Sequence, residues 1–293
     1  MYGFEKGRDV PFVVLALFIA MTPRAVAHRV KVCGDRGPWL VFAHGLGGSP
    51  SDWDPLVSSL GAGHRVLTFA QAGSAEADPA VFSPARHAST LGFADDLSLL
   101  CGDLGVRDAV FVGHSIGANA GALAAAADPG LFSRLVLINS SPCYVDDPIT
   151  GYRGGFSQSE IEALLQSIVA DYDAWAGGFG PLVMSNAERP EYANQFVRVL
   201  RELDPRIAAI CFRAAFTGDF RKVFARISSP TLVVQSQDDP AVPVDVAHWI
   251  GQHLPAARVV ELQTRGHFPH VVNPGEVIDA IGPFATGRLE GSR

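Results

Sequence analysis

The chain has 293 residues, 48% of them hydrophobic and 18% charged, with a net charge of −7. That balance excludes a disordered chain, and the lack of a Lys/Arg cluster argues against a nucleic-acid partner. The length suits one large domain, or a core that carries an insertion.

Residues 1–27 stand apart. Lys6 and Arg8 precede an apolar run from Val10 to Met21, and Ala25-Val26-Ala27 follows. Basic, apolar, small-x-small is the order of a secretory signal. The run is short and holds Pro11, which argues against a membrane-spanning helix. The competing reading makes residues 1–20 an over-extension and Met21 the start. Export after cleavage at Ala27 follows from the first reading, a cytoplasmic protein from the second.

From residue 28 to 141 strands alternate with helices. A short strand follows Val30, and Trp39-Leu40-Val41-Phe42-Ala43 reads as a buried strand ending in His44-Gly45-Leu46-Gly47-Gly48. Ser49 to Leu60 reads as a helix with Trp53, Leu56 and Leu60 on one face. The strand Arg65 to Phe69 and a Pro-bearing loop lead to an amphipathic helix, Leu91 to Leu104. Ala109-Val110-Phe111-Val112 is the next buried strand. It runs into Gly113-His114-Ser115-Ile116-Gly117 and then into Ala118 to Ala127, almost all small residues. Strand, Gly-x-Ser-x-Gly and close-packed helix together form the nucleophile elbow of an α/β-hydrolase. The turn is sharp, so the chain two residues to either side of the serine passes close to it, where glycine fits and also tolerates φ > 0. The Ile116 N–H then faces a developing oxyanion, and the loop after the earlier strand supplies Leu46 as second donor. Leu135 to Ile138 is another strand. The alternation implies a mostly parallel, doubly wound sheet.

Between 142 and 218 strand patterns vanish. Helices are expected over Ser159 to Trp175, Arg189 to Leu203 and Pro205 to Phe216, forming a lid inserted after the sixth strand. Of its many aromatic residues, Phe156, Trp175, Phe179 and Phe216, with Leu46, are the expected substrate-binding set. The core resumes over 219–293 with the strand Thr231 to Gln235, a helix, the strand Arg258 to Leu262, and a closing helix from Pro274 to Phe284.

A serine hydroxyl needs a base at neutral pH. His267 follows a late strand on a Gly-marked loop, with His270 as its rival. The base needs a carboxylate to hold its tautomer. Asp238 and Asp239 both follow the preceding strand, and Asp239, four before Pro243, is preferred. The strand before that ends in Asn139, which cannot carry the charge. Order Ser, Asp, His is that of the hydrolases. The four cysteines are scattered with no C-x-x-C and read as reduced thiols. No phosphate loop, dinucleotide fingerprint or metal-ligand cluster is present in the pattern, so the expected chemistry uses no cofactor and no metal.

Ser141-Pro142-Cys143-Tyr144, Asp146-Asp147-Pro148, Gly154-Gly155-Phe156, Asp204-Pro205 and Ala214-Ala215-Phe216 stand in order with Val112-Gly113-His114-Ser115 and Arg265-Gly266-His267-Phe268-Pro269-His270. Over about residues 28–287 the chain resembles the RsbQ-type hydrolases, which include the plant karrikin and strigolactone receptors. The resemblance implies an α/β-hydrolase core with a helical lid over an apolar pocket. It maps a triad onto Ser115, Asp239 and His267, and oxyanion donors onto Leu46 and Ile116. It also implies a family start near Met21 and, as partners, a small apolar ester or lactone and a regulatory protein such as a phosphatase. Two positions depart from the family: Ala70-Gln71-Ala72-Gly73-Ser74-Ala75 replaces Asp-x-x-Gly-x-Gly, and Leu46 replaces phenylalanine. Three functions follow: a serine hydrolase of such esters, a ligand receptor with slow hydrolysis, and a general carboxylesterase or carbon–carbon bond hydrolase.

Overall fold

Every residue of the strand Ala109–His114 is buried, and that strand sits at the centre of the sheet. The structure, a computed structural model, describes residues 21–287; the proposed signal-like run up to residue 20 lies outside them. In chain order the elements are α1 (Pro23–Ala27), β1 (Lys31–Cys33), β2 (Trp39–Ala43), α2 (Asp54–Leu60), β3 (Arg65–Thr68), α3 (Thr90–Asp103), β4 (Ala109–His114), α4 (Ile116–Ala127) and β5 (Phe132–Ile138). Then come α5 (Gln158–Ala170), α6 (Tyr172–Met184), α7 (Pro190–Glu202), α8 (Pro205–Phe216) and α9 (Arg221–Phe224). The chain closes with β6 (Thr231–Gln237), α10 (Val244–His253), β7 (Ala257–Arg265), α11 (Pro269–Val272) and α12 (Pro274–Ala285).

The sheet order is β1-β3-β2-β4-β5-β6-β7. Only β1 runs antiparallel to its neighbour; the other pairs are parallel. Alternate residues face opposite sides, as strand geometry requires. Val41, Phe111, Leu137 and Val233 pack with residues of α3, α4 and α10. Phe42, Val112, Ile138 and Val234 pack with α2 and α12. Both faces are therefore covered, and this accounts for the unbroken apolar runs in the sequence.

The helical insertion leaves the sheet after β5, the fifth described strand rather than the sixth. Its first helix also departs from expectation. The periodicity over Ser159 to Trp175 is broken at Asp171, which ends α5 and caps α6 by accepting the Ala174 N–H at 3.0 Å. Helix α6 then continues through Gly177, Gly178, Gly180 and Pro181, a composition of low helical propensity. Packing outweighs propensity here: a Cβ at Gly180 would strike Val197 of α7. Among the described residues no helix is long and apolar enough to cross a membrane.

Helix α1 holds the Ala25-Val26-Ala27 stretch. Ala25 is fully buried in the larger core cluster. Arg24 and Thr22 bond the Asp103 carboxylate of α3 at 2.6 and 2.8 Å. Asp78 donates its N–H to the Ala27 carbonyl at 2.8 Å. A protein starting at His28 loses these contacts. It is expected to be less stable than one starting at Met21 by roughly 2 kcal/mol, a fall in Tm of about 4–8 °C. Equal melting curves for the two would show that α1 adds nothing to the core.

Candidate active site

The elbow is built by close approach. Ser115 takes φ 53 and ψ −125, a sparsely populated region for any side chain. The positive φ falls on the serine itself, and Gly113 and Gly117 supply space. A Cβ on Gly113 would come within 2.6 Å of the Ala118 Cα, and one on Gly117 within 2.6 Å of the Ala43 carbonyl oxygen. Helix α4 can thus begin directly against β2 and β4. The Ser115 N–H is held by the Ile138 carbonyl at 3.0 Å.

Ser115, His267 and Asp239 meet at the carboxyl edge of the sheet. The Ser115 hydroxyl lies 2.9 Å from His267 Nε2, and His267 Nδ1 lies 2.8 Å from Asp239 Oδ2. All three are buried. Asp239 Oδ1 accepts the N–H groups of Ala241 and Val242 at 2.8 and 3.2 Å, so the carboxylate is oriented from both oxygens. Asp238 is exposed and points to Arg265, 3.2 Å away. His270 is not beside Ser115; it is buried and stacked on Trp53 with centroids 4.4 Å apart. Leu46 and Ile116 flank the serine, and among the described residues neither N–H has an acceptor. For Ile116 this follows from its place at the first position of α4, where N–H groups are unpaired by geometry.

The cavity at Ser115 is small, about 20 Å³ in volume, little more than one water-sized sphere. Leu46, Phe179 and Phe216 line it. Phe156 and Trp175 do not. Trp175 stacks behind Phe179 at 4.8 Å, and Phe156 meets the edge of Phe216 at 6.1 Å. Sequence reasoning missed Phe196, Phe212, Phe268 and Tyr144 as wall residues. Phe268 was open to inference from its place next to His267; Phe196 and Phe212 needed the helix packing. A second cavity of about 20 Å³ lies behind Leu46 and Phe212, against Gly73 and Ser74 of the divergent loop. That loop is tied to the end of β2 by the Gln71 N–H, which donates to His44 Nε2 at 3.0 Å. Among the described residues no three His, Cys, Asp or Glu side chains form a metal-binding group.

A family described as alpha/beta hydrolase fold matches residues 38–274. The chain belongs to the α/β-hydrolase family. It is 36% identical over 258 residues to a "Probable esterase" of Oryza sativa subsp. japonica, covering 87% of this chain and 94% of that one. It is 34% identical over 256 residues to "Karrikin insensitive 2 receptor CA" of Petunia hybrida, with 87% and 94% covered. With a "Strigolactone esterase" of Arabidopsis thaliana it shares 33% over 252 residues, 86% and 93% of the two chains. These are the plant RsbQ-type hydrolases to which the sequence strings pointed. Among solved structures, a hydrolase of Oleispira antarctica superposes with a TM-score of 0.85 at 25% identity, covering 92% of this chain and 97% of that one.

Three other histidines surround the site, and all are held neutral. His44 donates from Nδ1 to the Gly45 carbonyl and accepts at Nε2; burial lowers it to about 4. His114 sits well below its ordinary value through burial and the neighbouring His270 and His267. Burial lowers His270 to about 3. Each binds a proton more readily when unfolded, so each contributes stability that is complete above about pH 6.5 and is lost as pH falls toward its folded value. Asp52, pushed up to about 6 by burial, acts in the opposite sense. Three groups against one leave a loss of roughly 3 kcal/mol per pH unit near pH 5. Urea unfolding at pH 7.5, 6 and 5 measures it, and a stability that stays flat over that range would contradict the neutral buried cluster.

Proposed function

We propose that this protein is a serine hydrolase of small apolar esters or lactones, with Ser115 as nucleophile, His267 as base and Asp239 as the acid that orients it. The observation that carries the reading is the unbroken chain of hydrogen bonds from Asp239 through His267 to the serine at a strained elbow. In the reaction, the Ser115 oxygen attacks the carbonyl while His267 Nε2 takes the hydroxyl proton. His267 Nδ1–H donates to Asp239, which stabilises the imidazolium. The carbonyl oxygen, now an anion, is met by the Leu46 and Ile116 N–H groups, preorganised because they have no other acceptor. His267 returns the proton to the leaving alcohol, then takes one from the water that attacks the acyl group and hands it to the Ser115 oxygen as the acid departs. The walls of Leu46, Phe179, Phe196, Phe212 and Phe216 favour an apolar acyl or alcohol part. Residues 142–218 act as the lid over it.

A second reading, a receptor that hydrolyses slowly and signals to a regulatory protein such as a phosphatase through its lid, has specific support. The cavity is small, with four phenylalanine rings of the insertion around Ser115, and relatives at about a third identity are named receptors. A time course of nitrophenyl-ester release separates the two. Steady turnover that Ser115→Ala abolishes, and that Asp239→Asn lowers by roughly 10³–10⁴, identifies a working hydrolase. A burst of about one equivalent that then stalls, again lost in Ser115→Ala, identifies the receptor. Release undiminished by Ser115→Ala rejects both.

A further inference from the structure

We propose that Asn139 is a positioning residue for the base, its side-chain amide holding the peptide groups that aim His267 at Ser115; this rests on the hydrolase reading above. Asn139 follows β5 with φ 46 and is wholly buried. Its own N–H donates to the Val234 carbonyl at 2.9 Å. Its side chain then reaches past β6 to the base loop. Oδ1 accepts the Ser236 N–H at 2.9 Å. Nδ2 donates to the Ser236 hydroxyl at 2.6 Å, and to the His267 and Gly266 carbonyls at 3.0 and 3.3 Å. The Ser236 hydroxyl passes its own proton to the Gly266 carbonyl. One amide thus ties the carboxyl ends of β5 and β6 to the two peptide groups on which His267 depends.

The base loop needs such a tie. Gly266 has φ 85, and a Cβ there would run into the carbonyls of Val183 and Met184, so glycine is required immediately before the base. Glycine leaves the backbone free to rotate, and rotation there swings the imidazole. His114 Nε2 also donates to the His267 carbonyl, at 2.7 Å, but it offers one donor to one oxygen. Among the described residues, Asn139 alone donates to both carbonyls. Its amide is the chemistry the place demands: a carboxylate would face two carbonyl oxygens with no proton to give.

The test uses Asn139→Asp, which keeps the size and the acceptor but loses the donor, together with Asn139→Ala and Ser236→Ala. Ser115 is labelled to completion with a fluorophosphonate to count sites, and nitrophenyl acetate turnover is measured per labelled site, with Tm recorded separately. The Asn139 variants are expected to lose about 10- to 100-fold in kcat per site with KM within about threefold. Ser236→Ala is expected to show the same signature at a smaller size. A purely structural role would lower Tm and the number of sites but leave kcat per site unchanged. Unchanged kcat per site in Ser236→Ala and in whichever Asn139 variant folds overturns the proposal. Turnover that survives Ser115→Ala removes the hydrolase reading and this role with it.

Discussion

The structure turns on one tight place, where α4 starts against the ends of β2 and β4. Ser115 occupies a backbone region that costs of the order of 1–3 kcal/mol. The surrounding elements hold it there. Helix α4 is buried along nearly its whole length and is made almost wholly of alanine and glycine, so it can lie close enough to the sheet to fix both ends of the turn. The same closeness governs the two N–H groups proposed as oxyanion donors. Because Gly117 lets α4 touch the Ala43 and His44 carbonyls, the Ile116 N–H is brought beside the loop that carries Leu46. A larger residue at Gly117 would separate nucleophile and donors together.

Around this turn the chain places four histidines and lets only one approach Ser115. His44, His114 and His270 are fully enclosed and satisfied, if at all, by backbone. His114 serves the His267 carbonyl, and His270 packs as a flat apolar ring on Trp53. Burial keeps all three neutral, so none of them sets a fixed positive charge beside His267, the proposed base. The carboxylate opposite it is held by the Ala241 and Val242 N–H groups as well as by His267.

Much of this was legible in the sequence, for physical reasons. Buried parallel strands are continuous apolar runs, and the elbow needs its glycines whatever surrounds it, so β2, β4, β5, β6 and Ser115 stood out. The spacing to Pro243 favoured Asp239 over Asp238, and the two prove to point in opposite directions. What escaped depends on contacts between elements distant in the chain. Helix α6, with three glycines and a proline, has no local reason to be helical; its reason is α7. Trp175 and Phe156 looked like wall residues because they are aromatic, yet the wall is set by which ring stands in front. Asn139 was set aside because an amide cannot be the acid, and its hydrogen bonds could not be foreseen from composition.

The small cavity bears on both functional readings. Phe179, Phe196, Phe212 and Phe216 fill the space over Ser115, and they stand on α6, α7 and α8. The space left there is about 20 Å³, so a bulky ligand needs these helices or their rings to shift. Yet α6 also reaches the chemistry directly: the His267 N–H donates to the Val183 carbonyl, in the last turn of α6, at 2.7 Å. The base is therefore held by its carbonyl from the core and by its N–H from the insertion. Moving α6 to admit a ligand pulls on the Gly266–His267 peptide, whose carbonyl Asn139 also holds. On the proposed hydrolase reading, turnover and the position of the insertion meet at this one hydrogen-bonded junction. The fold can serve as an enzyme or as a ligand sensor according to how readily α6 returns to Val183–His267 contact after each event.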